Sequence, residues 1–179
     1  MTPRIIIVEG PDNCGKSTLA KELATRFNAN YWHMTSGPGL CEHGAMELYQ
    51  RDAFKNALVN LEMGHTTVFD RHWPSDQVYG PILRGIASME MDYWIEECQA
   101  NEVVIIFCDR NNAQEEHEKN RDPDHPYGAR IYQEVLDGYR DLCELLQSTT
   151  NIKIIEYPLD NFMDRDSQLD AFMEGLNKL

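Results

Sequence analysis

Residues 10–17 read Gly-Pro-Asp-Asn-Cys-Gly-Lys-Ser, a gapless match to G-x-x-x-x-G-K-[ST], and no other feature constrains the chain as tightly. Before them Ile5, Ile6, Ile7 and Val8 form an unbroken apolar run, as expected for a strand buried on both faces of a parallel sheet. After them Leu19, Leu23 and Phe27 recur every four residues, so a helix begins almost at once. A strand, a glycine-bearing turn and a helix N-terminus in that order offer inward-turned backbone N–H groups and a positive helix end to an anion. In such a loop Lys16 reaches the β- and γ-phosphates of a nucleoside triphosphate, and the Ser17 hydroxyl can ligate Mg²⁺. The expected cofactors are therefore ATP and Mg²⁺. Gly10, Asp12, Asn13, Cys14 and Gly15 are the expected nucleotide-binding loop, continued by Lys16, Ser17 and Thr18 on the helix.

The rest of the sequence alternates short β-branched runs with longer helical ones, without a repeat or a Gly/Ser linker, which implies one α/β domain spanning residues 1–179. Strands are expected at Ile5–Val8, Asn30–Met34, Thr66–Asp70, Val103–Cys108 and Ile152–Tyr157. Helices are expected between them, at about 45–63, 74–83, 88–100 and 131–146, with a closing helix near 169–176. The fold class is α/β: a five-stranded parallel sheet flanked by helices. The stretch 110–128 is polar, charged and broken by Pro123 and Pro126, and reads as a mobile lid.

The third strand ends in Asp70-Arg71-His72-Trp73-Pro74-Ser75-Asp76-Gln77-Val78-Tyr79. In a parallel sheet the carboxyl ends of strands line the ligand crevice, so an acid and a base stand together at its mouth. Asp70 can accept a proton from an attacking hydroxyl or hold Mg²⁺ through water, and Arg71 can clamp the transferring phosphoryl group or an acceptor phosphate. His33 and His72 read as hydrogen-bonding loop residues. Tyr31, Trp32, Trp73 and Tyr79 form an aromatic group that can stack on a base or simply cover an apolar edge.

On these motifs the chain resembles the thymidylate kinase-like family of P-loop kinases: Glu9-Gly10-Pro11-Asp12 leading into the loop, Asp70-Arg71-His72 with Ser75, Gln77 and Tyr79 following, and a charged flap after the fourth strand. The resemblance implies a lid that closes over the phosphates and a homodimer as the usual assembly. It implies that Asp12 meets the deoxyribose 3′-hydroxyl and that Arg51 reads a thymine base, with Ser75 and Tyr79 beside the substrate. Lys16, Asp70, Arg71 and a lid arginine become the catalytic set, with Ser17 and Asp70 toward the metal. The lid arginine is expected to be Arg121 or Arg110, with Arg130 as a helix-start alternative.

One departure bears on the acceptor. Family members carry an arginine after the second strand that grips the acceptor's 5′-phosphate, whereas Tyr31-Trp32-His33-Met34-Thr35-Ser36-Gly37-Pro38 holds no cation. Arg71 or Arg84 would have to replace it. This leans the reading toward the phage branch of the family, which phosphorylates the 5-hydroxymethyl group of 5-hydroxymethyl-2′-deoxyuridine in DNA, a step toward hypermodified thymidine. The alternative is a deoxynucleoside monophosphate kinase making a diphosphate, and the competing class is a nucleotide-hydrolysing switch. Partners are then ATP and a pyrimidine deoxynucleotide, free or within DNA.

Charge and composition set the limits. With 16 Lys+Arg against 30 Asp+Glu, the net charge is -14, which disfavours tight non-specific nucleic-acid binding but leaves room for a local basic site. No run approaches the roughly 18 apolar residues of a membrane helix, and no signal-peptide order opens the chain, so a soluble cytoplasmic protein is expected, in the host cytoplasm if viral. The five cysteines are odd in number and widely spaced, which indicates reduced packing residues rather than a disulfide framework.

Overall fold

Ile5, Ile6, Ile7 and Val8 are fully buried, and their alternation sends them to opposite sides of the sheet. Ile5 and Ile7 join Phe54, Phe69, Trp94, Phe107 and Tyr139 in one core, while Ile6 and Val8 join Leu19, Leu23, Val68, Tyr157 and Met173 in another. A strand covered on both faces has no polar position to spare, which is why the run reads as continuously apolar. The computed structural model describes residues 2–34, 45–110, 129–159 and 165–177.

The order is β1 (Ile5–Glu9), α1 (Lys16–Phe27), β2 (Asn30–His33), α2 (Ala45–Glu62), β3 (Thr67–Asp70), α3 (Trp73–Arg84) and α4 (Met91–Ala100), followed by β4 (Val104–Arg110), α5 (Ala129–Thr149), β5 (Lys153–Leu159) and α6 (Arg165–Asn177). The five strands form one all-parallel sheet, as expected from the alternation of strand and helix patterns, and their order is β2-β3-β1-β4-β5. The register puts Val8 beside Asp70, Asp70 beside His33, and Glu9 beside Phe107. The carboxyl ends of β1, β2 and β3 thus bring Glu9, His33 and Asp70 to one edge.

Helices α1 and α6 cover one face, and α2 to α5 the other. Gly85 at φ 78° ends α3, and its backbone N–H donates to the Pro81 carbonyl. The helix expected from residue 88 begins instead at Met91, because the backbone N–H groups of Ser88 and Met89 donate to the Asp76 carboxylate at 2.6 and 2.9 Å and hold that stretch as a loop. Cys14, Cys98, Cys108 and Cys143 are unpaired and buried. No helix among the described residues is long and apolar enough to cross a membrane. The expected lid beyond Arg110, with Arg121 in it, lies outside the described residues, as do the side chains of Arg110 and Arg130.

Candidate active site

The turn from β1 to α1 is built from backbone conformations that few side chains tolerate. Gly10 has φ 145° and Gly15 φ 83°, while Asn13 adopts φ 61°, in the left-handed region where asparagine is one of the few tolerated residues. A Cβ at Gly10 would stand 2.5 Å from the Cys108 carbonyl oxygen and 2.8 Å from Cys14 Sγ. Gly10→Ala is therefore expected to destabilise the chain by about 2 kcal/mol or more and to weaken ATP binding, read by urea unfolding and by nucleotide titration. Unchanged values for both would show that the turn has slack.

Gly15 caps α1, and its carbonyl accepts the N–H groups of Thr18 and Leu19 at 3.1 and 3.0 Å. Lys16 is buried, and its Nζ donates to the Pro11 carbonyl at 2.8 Å and stands 3.6 Å from Asp12 Oδ1. The amine is folded back across the loop onto the turn's own backbone and carboxylate.

At the end of β3 the Asp70 side chain is fully buried. The Tyr31 hydroxyl donates to Asp70 Oδ2 at 2.9 Å, and His33 Nδ1 lies 2.8 Å from the same oxygen. Burial works to raise the Asp70 pKa, but hydrogen bonding by Ser17, His33 and Tyr31 outweighs it and holds the carboxylate below its ordinary 3.8. Ser17 thus lies beside Asp70, yet the buried Oδ1 has no hydrogen-bond partner of normal geometry among the described residues. A buried carboxylate oxygen without a donor, next to a hydroxyl, has the donor chemistry of a hard cation's surroundings.

Arg71 follows at φ 69°, a conformation that costs a non-glycine residue about 1–2 kcal/mol. Its guanidinium is surrounded. Nη1 donates to Ser75 Oγ at 3.0 Å and to the Tyr139 hydroxyl at 3.1 Å, while Nη2 donates to Asp12 and, at 3.5 Å, to the Tyr79 hydroxyl. Behind these groups lies Glu9, whose carboxylate accepts from His72 N–H at 2.7 Å, Ser75 Oγ at 2.7 Å and the Tyr139 hydroxyl at 2.9 Å. Burial raises the Glu9 pKa against the opposing charge of Arg71 and these three donors. Burial likewise pushes the Tyr79 and Tyr139 hydroxyls up, so both remain protonated donors.

No family model matches the sequence, and no curated protein matches it. Solved structures do. The YorR protein of Bacillus subtilis in complex with phosphorylated GDP is 17% identical with a TM-score of 0.69, over 98% of this chain and 96% of that one. Thymidylate kinase from Candida albicans is 14% identical with a TM-score of 0.65, over 99% and 92%. Deoxyadenosine kinase from M. mycoides with products dCMP and dCDP is 14% identical with a TM-score of 0.59, over 97% and 98%. The chain has the thymidylate kinase-like P-loop kinase fold. Both strand-end clusters described above, from β1 and from β3, sit at the same sheet edge.

The structure brings Asp12, Lys16, Ser17, Asp70, Arg71, Ser75 and Tyr79 together, as the two motifs imply. Arg51 sits on α2, paired with Glu47 and laid over the Tyr93 ring with its Cζ 3.8 Å from the centroid. Arg84, the last residue of α3, reaches back to Asp76 in the first turn of that helix and to Ser88 Oγ at 3.3 Å.

His72 hydrogen-bonds through its backbone N–H to Glu9, and its side chain belongs to the core. Its ring is fully buried 4.7 to 5.8 Å from Phe69, Trp94 and Phe54, neither nitrogen has a partner, and burial lowers its pKa to about 3. The aromatic group also divides: Trp73 is core, Tyr31 serves Asp70, and Tyr79 stands edge-on to Tyr139 at 6.2 Å. Glu9 and Tyr139 are the residues that sequence reasoning missed. Glu9 closes an apolar strand and so carries a signal, a carboxylate at a position that would otherwise be hydrophobic. Tyr139 lies on one amphipathic helix and carries none.

Proposed function

We propose that the chain is an ATP-dependent phosphotransferase acting on a thymine-type deoxynucleotide. The observation that carries this reading is the convergence of Lys16 in a phosphate-binding turn with the Asp12–Arg71 pair at the carboxyl ends of β1 and β3. Lys16 would move from the Pro11 carbonyl to the β- and γ-phosphates. Ser17 and the unpartnered Asp70 oxygen fit Mg²⁺, which would spread phosphate charge when bound. Arg71 would stabilise the transferring group, joined by Arg121 or another lid arginine, and Asp12 would meet the acceptor's sugar. The acceptor oxygen attacks the γ-phosphorus as the bond to ADP breaks, and the hydroxyl proton leaves to solvent or to the new phosphate. Asp70 would either accept that proton or hold the ion, and its buried carboxylate with an unpartnered Oδ1 suits the second role.

Within this reading the acceptor is a hydroxyl rather than a phosphate. Arg71 is already matched by Asp12 and backed by Glu9, and the sequence has no Lys or Arg from residue 27 to residue 50. A dianionic acceptor would enter a region where carboxylates answer each cation, whereas a neutral hydroxyl carries no such penalty. Among thymine-type acceptors, the 5-hydroxymethyl group of 5-hydroxymethyl-2′-deoxyuridine in phage DNA meets that description. Binding to DNA by a chain of charge -14 would be local and salt-sensitive.

The test offers labelled ATP with dTMP, thymidine or 5-hydroxymethyluracil DNA side by side. Label on the DNA supports the proposal. Label on dTMP alone makes the chain a monophosphate kinase, and phosphate release that ignores every acceptor makes it a hydrolytic switch. In the same panel, Arg51→Ala is expected to raise the acceptor KM by about tenfold while leaving acceptor-free ATP hydrolysis intact. Equal loss of both would remove Arg51 from base recognition.

A further inference from the structure

We propose that Glu9 and Tyr139 are positioning residues, a buried clamp that aims the Arg71 guanidinium at the phosphate loop without touching substrate. The inference rests on the role of Arg71 in the kinase reading above. Its basis is a count of protons in the network. Ser75 and Tyr139 each own one hydroxyl hydrogen, and both lie within donating distance of Glu9 Oε2, at 2.7 and 2.9 Å. Once both hydrogens are given to the carboxylate, the hydroxyl lone pairs are left to face Arg71 Nη1, which supplies its two hydrogens at 3.0 and 3.1 Å. The 2.9 Å contact between Ser75 Oγ and the Tyr139 hydroxyl then needs no proton of its own. Only a charged, acceptor-only group at Glu9 fixes the direction of both hydroxyls at once.

The other Glu9 oxygen fixes the backbone. It accepts the His72 N–H at 2.7 Å, immediately after the residue held at φ 69°. One carboxylate thus holds both the strained turn that carries Arg71 and the two hydroxyls that orient its side chain. Strain and a buried charge are each unfavourable, and replacing such a network with apolar side chains is often neutral or stabilising for a fold. Their convergence on one guanidinium indicates that the aim of Arg71 is what they secure. The aim runs through Nη2 to Asp12, whose Oδ1 is 3.6 Å from Lys16 Nζ. Tyr139 enters from α5 and Ser75 from α3, so three separate elements, with β1, determine where one side chain points.

A double-mutant cycle on the full chain separates aiming from mere folding. Transfer from labelled ATP is measured for the unmodified chain, Tyr139→Phe, Glu9→Gln, Arg71→Lys and the two doubles, with melting temperatures alongside. Tyr139→Phe is expected to lower kcat about tenfold and Glu9→Gln about a hundredfold, each with the KM for ATP within about twofold. In the Arg71→Lys background each is expected to cost less than about twofold more, because the group it positions is already gone. Losses that multiply in full across backgrounds, or a Tyr139→Phe kcat equal to that of the unmodified chain, overturn the proposal. Tyr139→Phe removes one hydroxyl from a helix and keeps the test decisive if Glu9→Gln does not fold. Absence of transfer to any acceptor by the unmodified chain overturns the kinase reading, and the clamp's catalytic meaning with it. Transfer with multiplicative losses overturns the clamp alone.

Discussion

Lys16→Ala is expected to reduce phosphate transfer by at least about a thousandfold with any acceptor, while the chain stays folded. The folded chain uses the Lys16 ammonium lightly: Nζ donates to one carbonyl, at 2.8 Å from Pro11, and its ion pair with Asp12 is long at 3.6 Å. Losing these costs little, because Asp12 keeps Arg71 and the Pro11 carbonyl belongs to a turn fixed by its own backbone. A triphosphate in the loop, by contrast, would lose the one cation that the described part of the loop and α1's first turn supply. Lys16→Arg should not restore activity, since a planar fork cannot follow the path of a compact ammonium through a loop this tight. Steady-state transfer with labelled ATP, beside thermal unfolding, checks the point. Activity within tenfold of the unmodified chain would mean that the loop binds phosphate in some other way.

Much of this was legible in the residues. The apolar run at 5–8 and the glycine-lysine-serine turn after it fix a strand, a turn and a helix within a few residues of one another, and local patterns of that kind survive any tertiary context. That the motifs after β1 and β3 share one edge follows from the parallel sheet, because its strands all end on the same side, whereas the order that makes β1 and β3 neighbours is supplied by the structure. What did not show was how each cation is answered. Lys16, Arg51 and Arg71 read in sequence as a cationic site, but Arg51 is matched by Glu47 one turn earlier, and Arg71 by Asp12 and Glu9. The Glu47–Arg51 pair is a four-residue helical spacing that the sequence does offer, but the Arg71 pairings depend on side-chain directions across elements 59 and 62 residues apart (71 − 12 and 71 − 9), which no spacing rule reports. His72 failed for the same reason. The charged pair Asp70-Arg71 before it suggests a polar setting, whereas its ring lies among Phe54, Phe69 and Trp94.

Asp70→Asn is expected to lower kcat by about a hundredfold or more while ATP affinity without Mg²⁺ is largely kept, and its Mg²⁺ dependence distinguishes two roles for the carboxylate. The amide has the same shape and retains one oxygen for Tyr31 and His33, so the β2–β3 edge should hold. What it lacks is the charge of a buried carboxylate that has Ser17 as a neighbour. If Asp70 holds the ion, the half-saturating Mg²⁺ concentration rises by about tenfold or more and excess Mg²⁺ recovers part of the rate. If Asp70 is the general base, Mg²⁺ changes nothing. The pH profile is expected to point the same way. The folded pKa lies below 3.8, so the stabilisation Asp70 gains from its donors is fully present above that value and is lost only as pH falls through the lower folded value. Over ordinary working pH the carboxylate does not titrate, and no acidic limb of the rate profile should belong to it. An acid limb near neutrality that vanishes in Asp70→Asn, together with Mg²⁺-insensitive loss of rate, would make Asp70 the base and leave Ser17 as the ion's protein contact.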